Sequence, residues 1–271
     1  MDIVFDRRGN GPPLVLLHGI GHRRQGWSPV MDLLAAERDV IAVDLPGFGD
    51  SPPLPPGTPY TVDSAMKILT RTFADLGLDR PHIAGNSLGG LFALEAADRN
   101  LVSSATVLSP AGFFNASELR YAMTVLRASR LGARVPETLL THLARSPRRR
   151  TAMFGMIYGR PNDMDIATLT GDARAMRNAP GFAPTLRAGR TTRFLGSCAD
   201  VPVTIAWGTK DRLLLRGQAI RAQRRLPNAR FVWLEGCGHV PMSDDPPQVA
   251  QVLLTGSAHP TPKTKPPAQP A

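Results

Sequence analysis

Three residues far apart in the chain, Ser87, Asp211 and His239, have the types needed for nucleophilic acyl chemistry. A serine hydroxyl attacks a carbonyl only when a base takes its proton and an acid orients that base. Ser87 lies in Gly85-Asn86-Ser87-Leu88-Gly89-Gly90, Asp211 closes Gly208-Thr209-Lys210-Asp211, and His239 closes Gly236-Cys237-Gly238-His239. The glycines flanking Ser87 suit a sharp, strained turn in which side chains at positions 85 and 89 would strike neighbouring backbone. Such a turn raises the Ser87 hydroxyl. It also aims the free N–H groups of the following helix at any negative charge that forms there.

These residues can meet only if the fold brings them together. Short apolar runs read as strands: Asp2 to Asp6, Leu14-Val15-Leu16-Leu17, Val40-Ile41-Ala42-Val43, Pro81 to Ala84 and Ala105-Thr106-Val107-Leu108. Val201 to Trp207 and Arg230 to Leu234 follow later. Continuous apolar runs suit buried parallel strands. Between them lie helical stretches: Trp27 to Ala36, Thr61 to about Leu76, the residues after Ser87, Leu215 to Leu226, and Pro246 to Leu254. Alternation of this kind specifies an α/β fold with a mostly parallel, twisted sheet flanked by helices. In such sheets ligands bind outside the carboxyl ends of the strands. His18, Asp44, Ser87, Asp211 and His239 each fall just after a strand, so one sheet edge should gather them.

The alternation stops between residues 112 and 195. That segment is helical in character, broken at Pro136, Pro147, Pro161, Pro180 and Pro184, and reads as an insertion packing over the sheet. It divides the core into residues 1–111 and 196–255. Residues 256–271 are proline-rich and are expected to be a disordered tail. The 271-residue chain has a net charge of +10, and the insertion carries nearly all of the excess, with fourteen arginines, no lysine and five acids. A solvated helical face accounts for this more simply than a specific patch. No nucleic-acid motif and no aromatic interleaving accompany the arginines. No signal peptide or membrane-spanning run is evident. Cys198 precedes one strand and Cys237 follows its neighbour, which places them at opposite ends of the sheet, too far apart for a disulfide. Reduced thiols and a cytoplasmic location are therefore expected.

The motifs together resemble the α/β-hydrolase superfamily over roughly residues 2 to 255. The matching residues are His18-Gly19, Asp44-Leu45-Pro46-Gly47-Phe48-Gly49-Asp50-Ser51, the Ser87 turn, Gly208-Thr209-Lys210-Asp211 and Gly236-Cys237-Gly238-His239-Val240-Pro241. The chain order Ser, Asp, His is that family's order. The resemblance implies a helical lid inserted after the sixth strand. It implies Ser87 as nucleophile, His239 as general base and then acid, and Asp211 as the group that orients the imidazole. The backbone N–H groups of Ile20 and Leu88 would form the oxyanion hole. No cofactor and no metal are expected.

Other residues have plainer readings. His18 shapes the loop carrying Ile20, Asp44 ties its own turn, and Asp244 and Asp245 are placed as helix caps. His22 could belong to the loop or face the pocket. Phe113, Phe114, Met123, Met153, Phe154 and Met156 read as insertion core before acyl pocket. His82 and His142 read as packing or surface residues.

The expected activity is cleavage of a carboxylic ester or related acyl compound. Lactone or thioester cleavage and cofactor-free peroxidase chemistry stay open. So does carbon–carbon bond hydrolysis in aromatic ring catabolism, although that branch carries tryptophan where this chain has Val240. Lid arginines such as Arg187, Arg190 or Arg193 binding a substrate carboxylate would favour it. The rival outside acyl chemistry is a binding protein on the same fold, and a third reading rests the arginine-rich lid on a membrane surface, giving a lipid-active hydrolase. The substrate is taken to be small, with anionic or lipid-like character open, and the protein to be a monomer or homodimer.

Overall fold

The computed structural model describes residues 3–258. They form a seven-stranded sheet of order β1-β3-β2-β4-β5-β6-β7. The strands are β1 (Phe5–Arg8), β2 (Pro13–Leu17), β3 (Asp39–Val43), β4 (His82–Asn86), β5 (Ser104–Leu108), β6 (Val203–Gly208) and β7 (Arg230–Leu234). Only β1 runs antiparallel, against β3. Helix α1 (Ser28–Ala35) joins β2 to β3 and α2 (Val62–Asp75) joins β3 to β4. Helix α3 (Leu88–Asp98) joins β4 to β5. The insertion supplies α4 (Ala116–Gly132), α5 (Glu137–Ala144), α6 (Pro147–Phe154), α7 (Ile166–Asn178) and α8 (Phe182–Ala188) between β5 and β6. Helix α9 (Arg216–Arg225) joins β6 to β7, and α10 (Pro241–Asp244) and α11 (Pro246–Gly256) complete the fold.

The insertion therefore leaves after the fifth strand in chain order. The resemblance implies a place after the sixth strand, whereas the described residues have five strands before the insertion. Helix α11 runs through Gly256, and Ser257 is buried with its hydroxyl accepting from Arg38 Nε at 3.0 Å. Packing thus continues past residue 255. Residues 259–271, most of the expected tail, lie outside the described residues.

The strands hold their place because their side chains alternate between two cores. Leu14 and Leu16 of β2 join Val40 and Ala42 of β3 under α1 and α11. Val15, Leu17, Ile41 and Val43 point the other way, toward the core that includes Leu69, Phe73 and Leu94. Burying a Leu or Val side chain is worth about 1.5–3 kcal/mol, and a one-residue slip would turn every one of them to the wrong face. The register places Leu17 opposite Gly85, Gly85 opposite Val107, Val107 opposite Ile205 and Ile205 opposite Phe231. The strand ends are thereby level, and the residues that follow them line one edge.

Prolines fix several helix starts. Pro147 opens α6 and Pro184 lies in the first turn of α8, positions where the missing N–H costs nothing. Thr61, Asn115 and Asp165 cap α2, α4 and α7, and Asn115 with Glu118 forms a reciprocal capping box.

Candidate active site

Ser87 sits between β4 and α3 with φ 56° and ψ −112°, a backbone conformation that an L-residue rarely adopts. Strain of this kind costs on the order of 1–3 kcal/mol and persists only where the surroundings enforce it. Here they do. Ser87 N–H donates to Leu108 O at 3.0 Å, and Ser87 O accepts from Leu91 N at 3.0 Å and Ala111 N at 2.9 Å. A Cβ at Gly85 would lie 2.1 Å from Gly89 O, and one at Gly89 would lie 2.2 Å from Leu17 O. Both obstacles are backbone, so the turn needs glycine at each position. Leu88 is the first residue of α3, and its N–H has no intrahelical acceptor. The loop after β2 closes over the turn, since a Cβ at Gly19 would come 3.2 Å from Ser87 Cβ.

Asp211 and His239 meet at the same edge. His239 Nδ1 and Asp211 Oδ2 are 2.9 Å apart, and both side chains are almost fully buried. The other Asp211 oxygen accepts from Leu213 N at 2.9 Å and Leu214 N at 2.8 Å. The carboxylate is thus fixed on one side and its second oxygen faces the imidazole. A Nδ1–H donated to Asp211 leaves Nε2 as the basic nitrogen. The strand neighbour of Ser87 links the two halves: Asn86 Nδ2 donates to His239 O at 2.8 Å and to Leu108 O at 3.1 Å.

His18 is fully buried behind the loop that carries Ile20. Its Nδ1–H donates to Gly19 O at 2.7 Å, while Nε2 accepts from Leu45 N–H at 3.0 Å. Acceptance at Nε2 needs the neutral ring. Burial lowers its pKa to about 4, with Asp44 opposing the shift. Asp44 accepts from Arg24 N, the Arg24 guanidinium and Asp50 N, which pins the turn after β3. His82 bonds to the hydroxyls of Ser103 and Ser104.

Asp244 has a larger role than the helix cap expected for it. The cap of α11 is Asp245, which accepts from Gln248 N at 3.1 Å. Asp244 accepts instead from Gly238 N at 2.7 Å, Arg160 N at 2.8 Å and Gly159 N at 2.9 Å. His239 N–H itself donates to Ile157 O at 2.8 Å. The loop bearing His239 is therefore stitched to residues 157–160 of the insertion. No local sequence signal predicts this, because the partners lie some eighty residues away.

A cavity of about 540 Å³ with mainly apolar walls lies beneath the insertion and reaches Gly21 and His22, next to Ile20. Met153, Phe154 and Met156 line it, together with Tyr158, Leu169 and Met176. Phe113, Phe114 and Met123 do not. Arg187, Arg190 and Arg193 do not line it either. In its wall Tyr158 OH donates to Asp172 Oδ2 at 2.8 Å, and the same carboxylate lies 3.5 Å from His22 and 3.3 Å from Arg23. Burial opposes a charge on Asp172, yet His22, the Tyr158 hydroxyl and Arg23 outweigh it and hold the carboxyl below its usual range. Burial, with Asp172 alongside, pushes Tyr158 well above the usual phenol range.

Cys198 and Cys237 are both buried free thiols, with burial raising each pKa to about 12. Among the described residues no cluster of three or more His, Cys, Asp and Glu side chains could hold a metal ion. No helix among them is long and apolar enough to cross a membrane.

The fold agrees with comparison to known proteins. The family model described as the alpha/beta hydrolase family matches residues 14–252. The chain belongs to the α/β-hydrolase family. It is a hydrolase of that fold. A pimeloyl-[acyl-carrier protein] methyl ester esterase from Aeromonas hydrophila is 30% identical over 93% of this chain and 98% of its own length. Among solved structures, a bacterial membrane phospholipase A superposes with a TM-score of 0.76 at 26% identity, covering 95% of this chain and 84% of that one. An esterase from a Rhodococcus species superposes with a TM-score of 0.70 at 27% identity, covering 93% of each chain.

Proposed function

We propose that this α/β-hydrolase cleaves a carboxylic ester through an acyl-enzyme on Ser87. The observation that carries the reading is the Asp211–His239 bond, held beside the strained Ser87 turn by Asn86. His239 Nε2 takes the Ser87 proton as Oγ attacks the ester carbonyl. The oxyanion of the tetrahedral intermediate faces the N–H groups of Leu88 and Ile20. Losing one such donor typically raises the barrier by about 2.7–4 kcal/mol. The intermediate collapses with cleavage of the ester C–O bond, and His239 returns the proton to the leaving alcohol. Water then repeats the sequence, releasing the acid and restoring the Ser87 hydroxyl. Asp211 holds the ring in its tautomer and stabilises the imidazolium.

Residues 112–195 act as the lid in this reading. The apolar cavity beneath them takes the acyl group, since it opens beside the Ile20 loop and has a volume in the range of small-ligand sites. Relatives named as esterases support an ester substrate. A carboxylate clamp by Arg187, Arg190 or Arg193 has no support, because none of the three lines that cavity.

Intact-mass analysis after fluorophosphonate treatment tests the mechanism. One adduct is expected on the parent protein and none on Ser87→Ala, which should fold and melt like the parent. A Ser87→Ala protein that still takes the adduct, or still turns over esters, would refute the assignment.

A further inference from the structure

Helix α4 has two unlike faces. Val125, Ala128, Ser129, Gly132 and Ala133 contribute to the wall of the apolar cavity. Arg127, Arg130, Leu131 and Arg134, spaced as one helical stripe, face a separate open groove of about 390 Å³. Arg187 and Arg190 complete the groove from the α8 side. Arg130 belongs to the scaffold: it stacks 4.7 Å over the Phe182 ring and donates to Ala179 O at 3.1 Å. Arg127, Arg134, Arg187 and Arg190 are exposed, and among the described residues none is paired with a carboxylate. Four of the five acids of the insertion are engaged elsewhere, with Glu118 on Arg221, Glu137 on Arg174, Asp165 on its own helix start and Asp172 on His22, and the fifth, Asp163, forms no ion pair with the groove arginines. No carboxylate among the described residues pairs with these guanidiniums to offset their mutual repulsion, and a solvated face gains nothing from such crowding.

Leu131 stands among them at 65% exposure. An aliphatic side chain inside a ring of guanidiniums is poorly matched to nucleic acid, which needs stacking surfaces. It is well matched to a bilayer boundary, where arginines pair with phosphodiesters while an apolar side chain enters the acyl region. The long arginine stems let their heads stay at headgroup level. The same exposure favours a lipid surface over an acidic protein, because the leucine is not recessed in a fitted pocket.

We propose that the α4–α8 arginine groove docks on an anionic phospholipid surface, with Leu131 inserted among the headgroups. Docking there sets the outer face of the cavity-lining helix against the membrane. An acyl ester leaving the bilayer would then meet the insertion first. The docking does not depend on the serine chemistry. The delivery of substrate does rest on the acyl-cavity reading given above.

The test is co-sedimentation of the full chain with vesicles of phosphatidylcholine, with and without 30 mol % phosphatidylglycerol. Binding is expected only with the anionic lipid and should collapse at high salt. Each groove arginine near the surface should contribute roughly fivefold to partitioning. Arg127→Gln with Arg134→Gln should therefore weaken binding by at least tenfold. Leu131→Ser should weaken it without changing the salt dependence. Arg148→Gln with Arg149→Gln, the same charge change on exposed residues of α6, is the control and should have little effect. Fluorophosphonate labelling in solution should be unchanged in all of these variants, which separates failure of docking from failure of the serine mechanism. Equal loss from the α6 control would mean diffuse attraction to a cationic protein and would overturn the proposal. Absence of lipid-dependent binding in the parent, or a groove variant that binds as the parent does, would overturn it too.

Discussion

Asn86→Asp is a nearly isosteric change with a consequence that can be worked out from the site. Asn86 Nδ2 supplies both of its hydrogens, one to His239 O and one to Leu108 O. Leu108 O keeps a second donor in Ser87 N–H, so it loses one bond but is not orphaned. His239 O has no other bond among the described residues and is left as a buried, unsatisfied acceptor whenever the introduced carboxyl is ionised or turns its single O–H to Leu108 O. One lost net bond and one orphaned carbonyl together cost about 2–4 kcal/mol. For a domain of this size that is a fall in Tm of roughly 4–15 °C. The introduced carboxyl would also face two carbonyl oxygens and would be held protonated well above its usual range. A carboxyl whose folded-state pKa is raised stabilises the native state below its unfolded value and withdraws that stability as pH rises. The deficit should therefore be smaller at pH 5 than at pH 8. Thermal unfolding of parent and variant at both pH values measures it, and the fluorophosphonate labelling rate at 20 °C reads the catalytic geometry. Displacement of His239 by about 1 Å should slow labelling up to a hundredfold. A variant that melts within about 1 °C of the parent at both pH values would refute the claim that Asn86 holds the His239 loop.

Two further outcomes follow from the same region. Gly89→Ala puts a Cβ 2.2 Å from Leu17 O and 2.7 Å from His18 O, both backbone, so α3 and the Ile20 loop must part. A loss of about 1–3 kcal/mol with a labelling rate down by up to roughly a hundredfold is expected from melts and adduct kinetics. His18, whose pKa falls to about 4 on burial against an ordinary 6.5, is unprotonated in the folded state where the unfolded chain takes up a proton. Its contribution to stability is therefore complete above the unfolded value and is lost as pH falls from 6.5 toward 4. Denaturant titrations should show the parent losing about 2–3 kcal/mol more than His18→Gln between pH 7 and pH 4.5.

The part of this site that is legible in the sequence is the part written locally. Ser87, Asp211 and His239 each lie in a short motif after an apolar run, and a parallel sheet brings such strand ends together. Strand β7 matches its expected bounds, because Arg230–Leu234 is an isolated apolar run between turn residues. Strand β4 runs two residues beyond the apolar stretch, since Gly85 and Asn86 pair with Val107 and Leu108 irrespective of their own propensity. Asp244 illustrates what is not legible. An acid before Pro246 has the look of a helix cap, and its neighbour Asp245 is one. The use of Asp244 depends on amides that the insertion delivers from residues 159 and 160. Asp172 is hidden in the same way. It reads as one acid on an amphipathic helix until folding sets it against His22, Arg23 and Tyr158.

The stitching of the His239 loop to residues 157–160 bears on how such enzymes can be recombined. A helical insertion between two strands invites treatment as an exchangeable cassette, swapped between relatives to transfer substrate preference. In this chain the cassette contains the acceptor of the His239 backbone N–H and two amide donors of Asp244. A chimera cut at the strand ends would exchange part of the support for the His239 loop along with the apolar cavity. Grafts that keep Ile157, Tyr158, Gly159 and Arg160 with the parent core, and exchange only the flanking helices, would change the apolar cavity while leaving the histidine loop anchored.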